Sequence, residues 1–145
     1  MKNKILLPAI FVFALLASAC GAATPAAAGG PAAVDVSQNA SLGSFLVDAK
    51  GMTLYLFTQD SPNTSTCYAG CATAWPPLLT NGAPTAGAGV TAALLGTTKR
   101  KDGTSQVTYN GWPLYYWAND KAPGDTTGEN VQNVWFVITP AGAKK

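Results

Sequence analysis

Val107-Thr-Tyr-Asn-Gly-Trp-Pro-Leu-Tyr-Tyr-Trp-Ala-Asn-Asp120 restates, 60 residues on, the segment Val47-Asp-Ala-Lys-Gly-Met-Thr-Leu-Tyr-Leu-Phe-Thr-Gln-Asp60. Val47/Val107, Gly51/Gly111, Leu54/Leu114, Tyr55/Tyr115, Phe57/Trp117 and Asp60/Asp120 correspond, and Trp75/Trp135 keeps the same offset. An internal repeat fixes architecture before any single residue does. Two copies are too few for a solenoid. They predict one compact domain of two related halves, about 43–80 and 103–140.

The period-two pattern around the repeats predicts strands. Ser44–Asp48 and Met52–Thr58 flank the turn Ala49-Lys50-Gly51. Gln106–Tyr109 and Trp112–Ala118 flank Asn110-Gly111, a strong hairpin signal because both residues tolerate positive φ. Leu95–Lys101 and Thr104–Tyr109 flank Asp102-Gly103, and Asn133–Thr139 makes a last strand. Helix is confined to short stretches near Gly70–Trp75, stopped by Pro76-Pro77, and near Val90–Leu95. The expected fold is all-β: a small sandwich or barrel of about seven strands built from two pseudo-symmetric repeats, with one or two short helices.

Within each repeat, Leu54-Tyr55-Leu56-Phe57 and Leu114-Tyr115-Tyr116-Trp117 are apolar on both strand faces. Such strands belong in the middle of a fold. Asp60 and Asp120 follow just past the strand ends, where a carboxylate accepts backbone N–H bonds and fixes a turn. The motif therefore reads first as a structural unit.

The N-terminus reads as an export signal over residues 1–19. Lys2 and Lys4 are followed by an apolar run from Ile5 to Leu16, too short to span a bilayer comfortably, and then by Ala17-Ser18-Ala19-Cys20. This is a lipobox pattern, with Ala17 where leucine is usual. Cys20 would be acylated and become the mature N-terminus; the alternative is an ordinary cleavable signal with an incidental cysteine. Residues 20–33 would be the anchor and a flexible Ala/Gly/Pro linker, and 34–145 the domain. The expected location is the cell membrane or outer membrane, with the domain extracytoplasmic.

The net charge of +2 includes Lys2 and Lys4. Without them seven basic residues face seven acidic ones. The only basic cluster, Lys99-Arg100-Lys101, reads as a solvated hairpin tip, so nucleic acid is not an expected partner.

With Cys20 lipidated, Cys67 and Cys71 remain as a pair. In an oxidising envelope a disulfide is the default. The alternative is a thiol–disulfide or Cu(I) site, with Met52 as a further sulfur ligand. There is no histidine, which removes the commonest general base and the usual zinc and haem ligand. Neither a glycine-rich phosphate loop nor a Gly-x-Ser-x-Gly elbow occurs. Asp120, Asp125 and Glu129 share an oxygen-rich loop that does not have EF-hand spacing; it reads as turn-forming, with weak Ca²⁺ binding as the alternative. No cofactor, metal or catalytic residue is expected.

The doubled Gly-x-x-Leu-Tyr-x-(Phe/Trp)-x-x-Asp, with Cys71-Ala72-x-x-Trp75-Pro76-Pro77-Leu78 and Trp135-Phe136-Val137, resembles the bacterial predicted lipoproteins with a Tyr-x-(Phe/Trp/Tyr)-x-x-Asp motif, the secreted-repeat family. The resemblance runs from about Gly43 to Pro140. On it, Tyr55, Phe57, Asp60, Tyr115, Trp117 and Asp120 are the motif residues. That family is defined by its motif and envelope location, so the resemblance implies a place and a fold but no reaction. The expected function is a membrane-tethered, non-enzymatic binding or structural module. Its partners would be the membrane, through lipid, and an envelope protein or glycan. The aromatics Tyr55, Phe57, Tyr109, Trp112, Tyr115, Tyr116, Trp117, Trp135 and Phe136 are mostly core, with room for an exposed strip that binds glycan, quinone or protein. An extracytoplasmic redox or copper-handling protein using Cys67 and Cys71 is the alternative.

Overall fold

The computed structural model describes residues 29–145. The signal segment, Cys20 and most of the linker lie outside the described residues. Eight short strands form three small sheets. β1 (Ala33–Asn39), β2 (Gly43–Asp48) and β4 (Thr85–Ala86) form the first, with β1 in the middle. β3 (Tyr55–Phe57) pairs antiparallel with β8 (Trp135–Val137). β5 (Leu95–Lys99), β6 (Ser105–Tyr109) and β7 (Trp112–Pro113) form a meander. One five-residue helical turn, α1 (Gly70–Ala74), and a 3₁₀ turn at Ala92–Leu94 complete the described chain. The arrangement is all-β and sandwich-like, and the sheets do not close into a barrel.

A pseudo-two-fold axis passes between Tyr55 and Tyr115. Each donates its N–H to the other's carbonyl, at 2.8 and 2.9 Å. The flanking bonds repeat: Thr58 N–H to Val134 O (2.8 Å) mirrors Ala118 N–H to Ala74 O (2.9 Å). The Tyr55↔Val137 pair mirrors Tyr115↔Pro77. Each half thus supplies the strand that covers the other's motif.

The hairpins break the symmetry by one residue. Leu54 N–H reaches Leu46 O and Leu114 N–H reaches Val107 O, each at 3.0 Å. Val107 therefore occupies the place of Leu46, not of Val47 as the aligned letters have it. The first turn is longer by a residue, held by Asp48 Oδ1, which accepts from Lys50 N (2.8 Å) and Met52 N (2.9 Å). The second is tight, with Asn110 and Gly111 at φ 49° and 79°.

The segment from Trp112 to Ala118 is not one strand. Leu114 bonds to Val107, Tyr115 to Tyr55 and Tyr116 to Pro76, so the chain changes partner at each residue while crossing between sheets. β1 is a strand beyond those the repeats predict, and in it Val34 and Val36 alternate with polar residues. Pairing reaches back to Ala32: Thr85 N–H reaches Ala32 O at 2.8 Å, and Ala32 N–H reaches Thr80 Oγ1 at 3.0 Å.

Both faces of the motif strand are buried, as its composition predicts. Leu54, Leu56 and Leu114 enter one apolar cluster with Val34, Leu46 and Ile138. Tyr55, Phe57 and Tyr115 enter another with Trp75, Trp135 and Val137. Each fully buried Leu contributes about 1.5–3 kcal/mol.

Candidate functional site: the crossed tyrosine–aspartate core

The motif residues of the two halves are spent on each other. Tyr55 Oη donates to Asp120 Oδ2 and Tyr115 Oη donates to Asp60 Oδ2, both at 2.6 Å. The antiparallel contact of the two tyrosines aims each ring at the opposite half's strand exit. Each aspartate is fixed by its own half. Asp60 N–H bonds to Phe57 O (3.0 Å) and Asp120 N–H to Trp117 O (3.1 Å), closing the turn after each strand. Asp60 Oδ1 accepts from Thr66 N (2.7 Å) and Oγ1 (2.8 Å). Asp120 Oδ1 accepts from Thr127 N (3.0 Å) and Oγ1 (2.6 Å). Both tyrosines are fully buried and both aspartates are 7% exposed. Short O–H···O⁻ bonds of this kind are charge-assisted and strong.

Burial, then the carboxylate partner, pushes both phenol pKa values well up, so they are protonated at neutral pH. Burial also raises Asp60, against the donors from Tyr115 and Thr66 and the nearby Arg100 charge.

Beside these pairs runs a stack of four rings. Phe57 lies on Trp135 (centroids 4.1 Å), Trp135 on Trp75 (3.9 Å) and Trp75 on Trp117 (4.1 Å). The pseudo-two-fold exchanges its ends. Tyr55 meets Trp75 edge-on at 5.4 Å, and Tyr115 meets Trp135 edge-on at 5.2 Å. Trp117 is half-buried and the other three rings are buried.

The symmetry ends at Arg100. It is 4% exposed, whereas Lys99 and Lys101 are exposed. The expectation of a solvated basic tip fails for this middle residue. Its Nη1 donates to Ser65 Oγ (2.9 Å) and Gln106 Oε1 (2.7 Å), and its Nη2 to Cys67 O (2.8 Å). Its guanidinium lies over Tyr68, 4.4 Å from the ring centroid. Ser65 Oγ in turn donates its own proton to Tyr115 Oη at 2.7 Å, the phenol's single proton being given to Asp60, so Arg100 is wired into one tyrosine–aspartate pair. The other pair has Gly128 N–H on Tyr55 Oη at 3.2 Å instead.

Cys67 and Cys71 form a disulfide, with Cα atoms 5.2 Å apart. Cys67 is buried and Cys71 is half-buried on α1, one turn before Trp75. The carboxylates of the 119–130 loop do not converge. Asp125 Oδ2 accepts from Lys121 N (2.8 Å) and Ala122 N (2.9 Å), while Glu129 Oε2 accepts from Val137 N (2.6 Å). Among the described residues no group of three His, Cys, Asp or Glu side chains gathers as a metal site.

The structure therefore brings together Tyr55 with Asp120 and Tyr115 with Asp60, and stacks Trp117 and Phe57 at the two ends of one column. Met52 belongs to the first hairpin turn. Thr66, Thr127, Ser65, Arg100 and Gly128 escaped the sequence. The Thr pair was within reach, since each follows its Asp at nearly the same spacing. On the surface a groove of about 280 Å³ is lined by Asp48, Lys50, Leu78, Leu79, Tyr116 and the first described residues. Tyr116 Oη donates to Asp48 Oδ2 there, at 3.0 Å.

No curated protein and no solved structure matches this chain. The family model of a secreted repeat of unknown function matches twice, over residues 36–79 and 96–139, more than half of the chain and one match on each side of the pseudo-two-fold axis. The chain belongs to that secreted-repeat family.

Proposed function

We propose that the protein is a non-enzymatic binding or structural module of the cell envelope, tethered to a membrane through lipid on Cys20. One observation carries the first half: the polar groups of both motif copies are consumed in holding the halves together, which makes the motif a scaffold. Membership of a secreted-repeat family fits a domain that works outside the cytoplasm. Among the described residues no helix is long and apolar enough to cross a membrane. Several acyl chains on one cysteine anchor firmly where a single chain does not.

The groove beside Tyr116 is the surface we assign to a partner. An aromatic ring next to Asp48 and Lys50 offers a flat apolar face with a donor and an acceptor. That chemistry suits a glycan or a polar segment of an envelope protein. Nucleic acid is not among the proposed partners, because the exposed cations Lys99 and Lys101 make no broad basic surface.

Cell fractionation tests the tether. Cys20→Ser is expected to move the protein from the membrane pellet to the soluble fraction. Retention after a salt wash would overturn the lipid anchor. A redox or copper-handling role is favoured by one observation: Cys71 of the disulfide is half-buried, whereas Cys67 is buried. Stoichiometric Cu(I) binding by the reduced protein, lost in Cys67→Ser, would promote that role above the binding module.

A further inference from the structure

A scaffold needs hydrogen bonds in its core, but it does not need them placed beside a column of indoles. Trp117 is the half-buried end of that column. Trp75 lies 4.1 Å behind it and Trp135 3.9 Å further in. A phenol abuts each inner indole, Tyr55 on Trp75 and Tyr115 on Trp135, at 5.4 and 5.2 Å. Each phenol has a carboxylate oxygen at 2.6 Å on its hydroxyl. Indole and phenol are the aromatic side chains that give up one electron most readily, and rings in van der Waals contact exchange electrons without a distance barrier.

The carboxylates decide where an electron vacancy would settle. A phenol that loses an electron becomes a strong acid and must shed its proton. In an apolar core that step is blocked unless a base already touches the hydroxyl. Here the base is in place. Moving the proton from Tyr55 Oη to Asp120 Oδ2 also turns a buried anion into a neutral acid, which relieves the cost of a buried charge. Oxidation of the pair therefore discharges the core, whereas oxidation of a lone buried indole would charge it.

We propose that the core is a one-electron relay that collects oxidising equivalents as a protected tyrosyl radical. A one-electron oxidant, a high-potential metal complex or an oxygen-centred radical, takes an electron from Trp117. Trp75 refills Trp117, and Tyr55 refills Trp75. The balance is oxidant plus Tyr55–OH plus Asp120 carboxylate, giving reduced oxidant, Tyr55–O• and Asp120 carboxylic acid. Trp135, Tyr115 and Asp60 form the second branch. Both phenols are held protonated by burial and by their carboxylates, so the proton to be transferred is present. The relay makes no use of Cys67 or Cys71.

The test is flash-quench oxidation of the exported protein with a soluble ruthenium(III) polypyridyl complex, read by transient absorption and by electron paramagnetic resonance. The expected result is an indolyl radical that decays into a neutral tyrosyl radical, more slowly in D2O. Tyr55→Phe with Tyr115→Phe should abolish the tyrosyl signal that grows in as the indolyl radical decays. Asp60→Asn with Asp120→Asn keeps the shape and an acceptor oxygen but removes the base, and should leave the indolyl radical standing. Trp117→Phe should slow tyrosyl formation, whereas Trp112→Phe, outside the stack, should not. A tyrosyl signal unchanged by the Asn or Phe pairs, or formed at the same rate in D2O, would overturn the relay. Should the double Asn variant fail to fold, the D2O comparison and the Trp117→Phe variant decide the question in an intact core.

Discussion

Asp60 and Asp120 do the same work in opposite halves, and their equivalence could be read from the repeat. What could not be read is the crossing. Aligned letters do not say whether a tyrosine meets its own aspartate or the other copy's; the antiparallel Tyr55–Tyr115 contact decides that. Arg100 was hidden for a similar reason. Three cations before Asp102-Gly103 look solvated, but strand alternation turns the middle one inward onto Ser65, Gln106 and Cys67 O. Asp60→Ala and Asp120→Ala should each destabilise the fold by about 1–3 kcal/mol, because each strands a buried phenol donor. Chemical denaturation checks this, and Asp60→Ala should be the worse, as Arg100 also loses a neighbouring negative charge. Asp60 has a further signature in pH. Its folded pKa lies above its unfolded value, chiefly through burial. Its contribution is therefore fully present below the ordinary carboxylate range and is lost as pH rises through the raised folded value. Relative to Asp60→Asn, the wild-type denaturation midpoint should climb as pH falls through that window. A parallel pair of curves would show that the donors and Arg100 offset the burial.

At the scale of elements, the loops after the two motifs carry as much of the design as the strands do. The exit after Asp60 runs through Thr66 to the Cys67–Cys71 bridge and α1; the exit after Asp120 runs through Thr127 to Gly128. The repeat marks the strands because they share letters. It misses the exits because they solve one problem, covering a tyrosine hydroxyl and an indole, with different residues. Gly128 shows the constraint. A Cβ there would lie 2.8 Å from Tyr55 Cζ and 2.9 Å from Trp75 Cη2. Both rings are locked in the buried cluster, so neither can swing away. Gly128→Ala should cost about 1–3 kcal/mol through overpacking. Its near-ultraviolet dichroism should change as Trp75 shifts against Trp135. By contrast, a Cβ at Gly103, at the exposed β5–β6 turn, meets nothing within 4 Å and is opposed only by its φ of +83°. Gly103→Ala should leave the aromatic spectrum alone.

For the whole molecule, the exchange of partners between halves makes the fold one cooperative unit. A half cut out at residues 80–95 would lose the opposite strand that covers its motif, the acceptor for its tyrosine and half of the indole stack. The all-β class and the two-fold layout were legible because strand patterning and repetition are local in sequence. Whether the sheets close was not, since it depends on partner switching along Trp112–Ala118 and on β1, which has no counterpart in the quoted repeat. Interlocking makes a prediction that independent halves would not. Leu56→Ala and Leu114→Ala lie in different copies, and each deletes a fully buried side chain, at a cost of about 2–5 kcal/mol. Both should lower the midpoint of one and the same unfolding transition. Tryptophan fluorescence, with Trp75 in one copy and Trp117 and Trp135 in the other, should track far-ultraviolet dichroism throughout. Two separable transitions, with only the mutated half shifting, would mean that the crossed tyrosine–aspartate pairs decorate two autonomous halves instead of joining them.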